Sequence, residues 1–108
     1  MRTLIIAVLL CLSFNVMAKQ PTKEQCTNYA IGVQAMAANR DDGIGFEDLI
    51  QEINSIDMVA AGLTDKHENE PMLRWLYTKD AISVYREERM TSPAVIYNNR
   101  YRICMGIK

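Results

Sequence analysis

The chain has 108 residues, about half of them hydrophobic, and a formal net charge of −1. That length allows one domain. The near-neutral balance excludes the basic footprint that nonspecific nucleic-acid binding requires, so no nucleic-acid partner is expected.

Residues 1–18 read as an export signal. Met1 and Arg2 give a positive start, residues 4–14 (LIIAVLLCLSF) are an apolar run, and Ala18 supplies the small residue of a cleavage site. The run is well short of the roughly 20 residues that cross a bilayer. Cleavage after Ala18 is therefore expected, leaving no stable membrane anchor. A lipoprotein would acylate Cys11, but Leu10 stands where a small residue belongs. The expected location is the periplasm or the secreted fraction. Residues 19–108 then form a single helical domain of 90 residues with net charge −2.

Removal of the signal leaves two cysteines, Cys26 and Cys104. In an oxidising compartment two cysteines most simply form one disulfide. It would tie the first helix to the last and close a loop of nearly the whole domain.

Residues 19–40 read as the first helix. Thr22 and Gln25 fit a capping box, with Thr22 as N-cap. Cys26, Tyr29, Ala30, Val33, Met36 and Ala37 fall on one apolar face at helical spacing. The stretch 39–45 (NRDDGIG) marks a turn. It is no calcium loop: with Gly43 at the sixth position, Ala38 and Arg40 would stand where oxygen ligands belong.

Residues 46–61 read as the second helix, with Glu47 and Asp48 in its first turn, where acids favour the helix dipole. Leu49, Ile53, Ile56, Ala60 and Leu63 form its stripe, and Gly62 is its expected stop. The polar loop that follows holds the single histidine, His67. A lone loop histidine is expected to be solvated, and no metal site is expected.

Residues 70–89 read as the third helix, with Asn69 as N-cap and Pro71 in the first turn. Leu73, Tyr77, Ala81, Val84 and Tyr85 point inward. Met72, Trp75 and Ile82 form a second set. Either the bundle wraps this helix on two sides, or these residues are an exposed apolar anchor for a partner. Ser92 as N-cap with Pro93 behind it starts the fourth helix. Val95, Ile96, Tyr97, Tyr101 and Cys104 recur there at helical spacing, and Tyr101 is expected to cover the disulfide.

Charge is segregated along the chain. Residues 41–70 sum to −8 and residues 71–108 to +4. Either the acidic helix faces its basic neighbours or solvent, or the polarised surface steers a charged partner. Glu47, Asp48 and Glu52 are the candidate contacts on that helix.

Catalytic signatures are missing. The one histidine is no partner for a serine or cysteine nucleophile. Gly43-Ile44-Gly45 lacks the third glycine and the preceding strand of a phosphate loop. The adjacent pairs Asp41-Asp42 and Glu87-Glu88 are poorly placed for acid–base work. No enzyme activity and no cofactor are expected.

The early Cys26, the Arg-x-x-Gly turn from Arg40 to Gly43, the Val84-Tyr85 pair and the closing Tyr101-x-x-Cys104 resemble a broad class of small exported bacterial and phage-associated helical proteins. The resemblance spans most of the mature chain. It implies a helical fold clamped by a disulfide and carries no activity with it. Size and a single disulfide also resemble the periplasmic acid-stress chaperones of the HdeA type, although their lysine-rich composition is missing here.

The expectation is thus an all-α, four-helix domain with a Cys26–Cys104 bridge. Its expected role is a non-enzymatic periplasmic binding protein, an inhibitor or immunity protein against a cell-envelope enzyme. The contacts would be Glu47, Asp48 and Glu52 or the Met72, Trp75 and Ile82 surface. The alternative is a stress chaperone that opens when its carboxylates protonate together.

Overall fold

The computed structural model describes residues 21–107. The export signal, its cut after Ala18 and Cys11 lie outside the described residues. Among those residues the chain forms four α-helices and no strand. They are α1 (Lys23–Asp41), α2 (Phe46–Ser55), α3 (Glu70–Tyr85) and α4 (Pro93–Met105), with a short 3-10 turn at His67–Asn69.

The local start signals act as expected in α1 and α4. The Thr22 hydroxyl accepts the Gln25 N–H and the Gln25 side chain accepts the Thr22 N–H, both at 3.0 Å. These two bonds satisfy donors that a helix start would otherwise leave open. In α4 the Ser92 hydroxyl accepts the Val95 N–H, with Pro93 at the first helical position.

Helix α1 is the element on which the others assemble. Its face of Cys26, Ala30, Val33, Met36 and Ala37 is buried. Helix α4 packs along α1, α3 also lies against it, and α2 packs mainly on α3. Leu49, Ile53, Met58, Leu63, Tyr77, Ala81, Val84 and Ile96 complete one continuous core. Cys26 and Cys104 are joined, with Cα atoms 5.5 Å apart, so the start of α1 is fixed to the last turn of α4. Tyr101 stacks on Tyr97 one turn earlier, with ring centroids 6.2 Å apart.

A small residue sets how closely α1 and α3 approach. The Tyr77 ring stacks on Tyr29 at 4.9 Å, and its hydroxyl donates to the Tyr29 carbonyl at 3.1 Å. That places it over Gly32, where an added methyl would lie 2.7 Å from Tyr77 Cζ. Tyr77 is buried and hydrogen-bonded to the Tyr29 carbonyl, so moving the ring aside would cost that bond and its stacking on Tyr29. Gly32→Ala is expected to destabilise by about 1–3 kcal/mol through overpacking. Urea denaturation checks this, and an unchanged midpoint would refute the close approach.

Two helices are shorter than their apolar spacing suggests. Helix α2 ends at Ser55 rather than at residue 61, and Ile56 is extended. Two side chains account for this. The Arg74 guanidinium takes the Ile53 and Ile56 carbonyls at 3.1 and 2.7 Å. The Asp57 carboxylate accepts the Val59 and Ala60 N–H groups, each at 3.1 Å, and starts a separate turn. Such local side-chain bonds compete with helix continuation. Gly62, with φ of +76°, closes that turn rather than the helix, as its N–H bonds the Val59 carbonyl at 3.0 Å. Ala60 is consequently exposed, whereas Met58 and Leu63 are buried.

Helix α3 ends at Tyr85 rather than at residue 89, and residues 86–90 form a turn. The Arg40 guanidinium reaches across from α1 and takes the carbonyls of Val84, Glu88 and Thr91 at 3.1, 2.8 and 2.8 Å. A cation bonded to the open carbonyls of a helix end is favoured both electrostatically and as a donor. Asn69 does not cap α3 with its side chain; its amide donates to the Thr64 hydroxyl at 2.8 Å. Val95, expected inward, is exposed, and Ile96 alone of α4 is fully buried.

Candidate functional site

The two surfaces singled out in the sequence both reach solvent. Glu47, Asp48 and Glu52 are exposed on α2, and none has an ion pair among the described residues. Of the two readings of the acidic segment, solvent exposure is therefore what α2 displays. Met72 and Trp75 are each 58% exposed and Ile82 is 37% exposed. The bundle does not wrap α3 on this side.

The fold brings the two surfaces next to each other. Phe46, the first residue of α2, meets Tyr85 edge to face at 5.7 Å. Phe46, Tyr85, Ile82 and Arg86 line one open groove of about 480 Å³. Ile82 thus belongs both to the outer face of α3 and to the boundary with α2. The Tyr85 hydroxyl donates to the Ile44 carbonyl at 2.7 Å, which fixes the loop entering α2. Burial raises the pKa of that phenol, the charge of Arg40 opposes the shift, and Asp48 adds to it. A smaller crevice of about 100 Å³ lies between α1 and α2, with Met36, Asn39, Glu52 and Tyr77 in its wall.

A polar network, invisible in the sequence, ties α1, α3 and α4 together. The Arg100 guanidinium bonds Asp80 at 2.9 Å and grips both oxygens of Glu88. Asp80 also accepts the Tyr29 hydroxyl, and Glu88 accepts the Ser83 hydroxyl at 2.8 Å. Burial, reinforced by Asp80, pushes the Tyr29 phenol far above its ordinary pKa, and burial does the same to Tyr77. Both stay neutral donors. No buried side-chain nitrogen or oxygen among the described residues lacks a partner. A network whose buried members are all partnered holds the helices in place.

His67 is exposed, as expected, but it is not isolated. Its Nδ1 lies 3.3 Å from Glu70 Oε2. Ligand atoms of Asp57, His67 and Glu70 fall within 4.8 Å of one another. The carboxylates have other duties. Glu70 accepts the Met58 N–H at 3.1 Å and pairs with Arg74 at 3.2 Å. Asp57 is held below its usual carboxylate range, chiefly by the Ala60 N–H, with His67 and the Val59 N–H contributing. The cluster closes the loop between α2 and α3.

Sequence reasoning named the exposed residues and missed the clamps. Arg40, Arg74 and Arg100 each bond groups far away in the chain; the Arg-x-x-Gly turn marks Arg40 without pointing to those partners, and no local pattern marks Arg100. A partial signal existed for Arg74, which stands four residues after Glu70, the spacing of a helical ion pair.

Comparison with known proteins adds no name: no family model matches the chain, and no curated protein and no solved structure matches it either.

Proposed function

We propose that the protein is a non-enzymatic periplasmic binding protein that inhibits a cell-envelope enzyme by presenting α2 to a cationic cleft. The observation that carries this reading is the row of Glu47, Asp48 and Glu52, exposed and without an ion pair, beside the aromatic edge of Phe46. Charges of one sign on a protruding short helix steer encounter with a surface of the opposite sign. Phe46 supplies the apolar contact that a purely charged surface lacks.

The test uses a tagged domain as bait in periplasmic extract, beside the variant Glu47→Lys/Asp48→Lys/Glu52→Lys. A specific partner should be captured at low salt and lost with the variant. Binding of the purified partner should weaken at least about tenfold on reversal, mostly through slower association. A partner retained equally by both proteins would refute the role of α2.

The stress-chaperone reading is favoured by one feature. Carboxylates, Asp80 and Glu88, hold Arg100 of α4, so acid would loosen α4 and uncover the α1 face beneath it.

A further inference from the structure

The outer face of α3 has a chemistry that the acidic surface of α2 does not share. Positions 72, 75, 79 and 82 follow alternate steps of three and four, which places them in one line along α3, and Arg86, the residue that caps its end, continues the spacing. The line reads Met72, Trp75, Lys79, Ile82, Arg86, and all five are exposed. The Lys79 ammonium lies 4.8 Å from the centre of the Trp75 ring. Just beyond the helix stand Arg89, also exposed, and Met90, 90% exposed. Lys79, Arg86 and Arg89 have no ion pair among the described residues, so with Glu87 the face carries +2.

We propose that this face docks reversibly on an anionic phospholipid surface. Exposed tryptophan, methionine and isoleucine interleaved with lysine and arginine is the composition that sits at a lipid headgroup boundary. Rings and thioethers enter the acyl margin while the long cationic side chains reach the phosphates. A soft surface accommodates the whole line, including the open groove at Ile82 and Arg86, whereas a protein partner could receive it only through a matching acidic surface. The charge layout of the whole chain agrees in sign. The excess of acid lies in residues 41–70 and the excess of base in residues 71–108. Near a negative surface the basic side chains of α3 are drawn in, while the neighbouring acids of α2 oppose them. Among the described residues no helix is long and apolar enough to cross a membrane, and the proposed contact is a peripheral one. The inference is independent of the proposed role of α2.

Trp75 is the single tryptophan of the chain, and it therefore reports on this face alone. The purified oxidised protein is titrated with phosphatidylcholine vesicles and with vesicles containing phosphatidylglycerol, at low and high salt. Trp75 emission should shift to the blue with the anionic vesicles, and brominated acyl chains should quench it. Apparent affinity should exceed that for neutral vesicles by about tenfold or more and fall as salt rises. Lys79→Glu/Arg86→Glu should abolish the preference for anionic lipid. Ile82→Asp should weaken binding to every vesicle. Both substitutions lie on exposed positions, and circular dichroism verifies their fold. Reversal of Glu47, Asp48 and Glu52 should leave the vesicle signal intact or stronger, which separates this proposal from the reading of α2. No Trp75 shift with anionic vesicles at low salt would overturn the proposal. So would a shift that tracks protein concentration without lipid, which would give the face to a second copy of the chain. Saturable binding of an acidic polypeptide at lower concentration than vesicles would give it to a protein partner instead.

Discussion

Breaking the Cys26–Cys104 bridge should cost the domain about 4.5 kcal/mol, the value that the chain-entropy account gives for a closed loop with the observed separation of 78 residues. Few single changes in the molecule should cost as much. A domain of this size is stable by only about 5–15 kcal/mol in total. The loss should also be uneven. Helix α4 buries one side chain fully, Ile96, and the Arg100 clamp and the bridge add to its packing along α1. With the bridge open, α4 should exchange its amide protons faster than α1, which also packs against α3. Urea denaturation with and without reductant, repeated with Cys104→Ser, measures the first effect. Hydrogen exchange resolved by segment measures the second. A reduced domain less than about 1 kcal/mol weaker would mean that the unfolded chain is already compact around these two helices.

Arg100→Ala should cost about 3 kcal/mol. Its side chain is 11% exposed and sits between Asp80 and Glu88, which are 15% and 21% exposed. Removing one member of a largely buried ion cluster strands the charges that remain, and about 3–5 kcal/mol is typical. The accessible edge of Glu88 places this case at the low end, because water partly screens that carboxylate. The pair should be strongly coupled: Arg100→Ala/Glu88→Ala should be less destabilised than the sum of the two single variants. The pH dependence has a definite sign. Hydrogen bonds from Arg100 hold Glu88 below its ordinary carboxylate value of 4.5, against the opposing effect of burial. A carboxylate with a lowered folded pKa stabilises above its unfolded value, and that stability is lost as pH falls through the folded value. The wild-type domain should therefore weaken on acidification below about pH 4.5. The gap between it and Arg100→Ala should narrow over the same range. Denaturation midpoints of both proteins across that range check this. A gap that stays constant in acid would show that Glu88 does not hold α4 and would remove the stress-chaperone reading with it.

The parts of the fold legible in the sequence were those written in local patterns. The capping box of Thr22 and Gln25, the Ser92-Pro93 start and the apolar face of α1 depend on residues a turn or two apart, and each stands where expected. The bridge followed from counting cysteines. The errors occurred where a distant side chain overrode local spacing. Leu63 fits the stripe of α2 and is buried, yet it arrives there through a separate turn, because Arg74 and Asp57 take the backbone groups that would have extended the helix. Residues 86–89 suit a helix, yet the carbonyls of Val84, Glu88 and Thr91 turn toward Arg40. The exposure of Met72, Trp75 and Ile82 was equally out of reach. It depends on α4 packing along α1 rather than against the outer side of α3, which helical periodicity does not encode.

The way Arg40 holds the turn after α3 bears on how this molecule can evolve. The guanidinium recognises carbonyls of Val84, Glu88 and Thr91, main-chain atoms that every amino acid carries. The grip itself therefore does not depend on which side chains these positions carry. It does depend on the length of the segment, because one residue gained or lost would swing those oxygens out of register. Lineages of this protein should tolerate neither insertion nor deletion there.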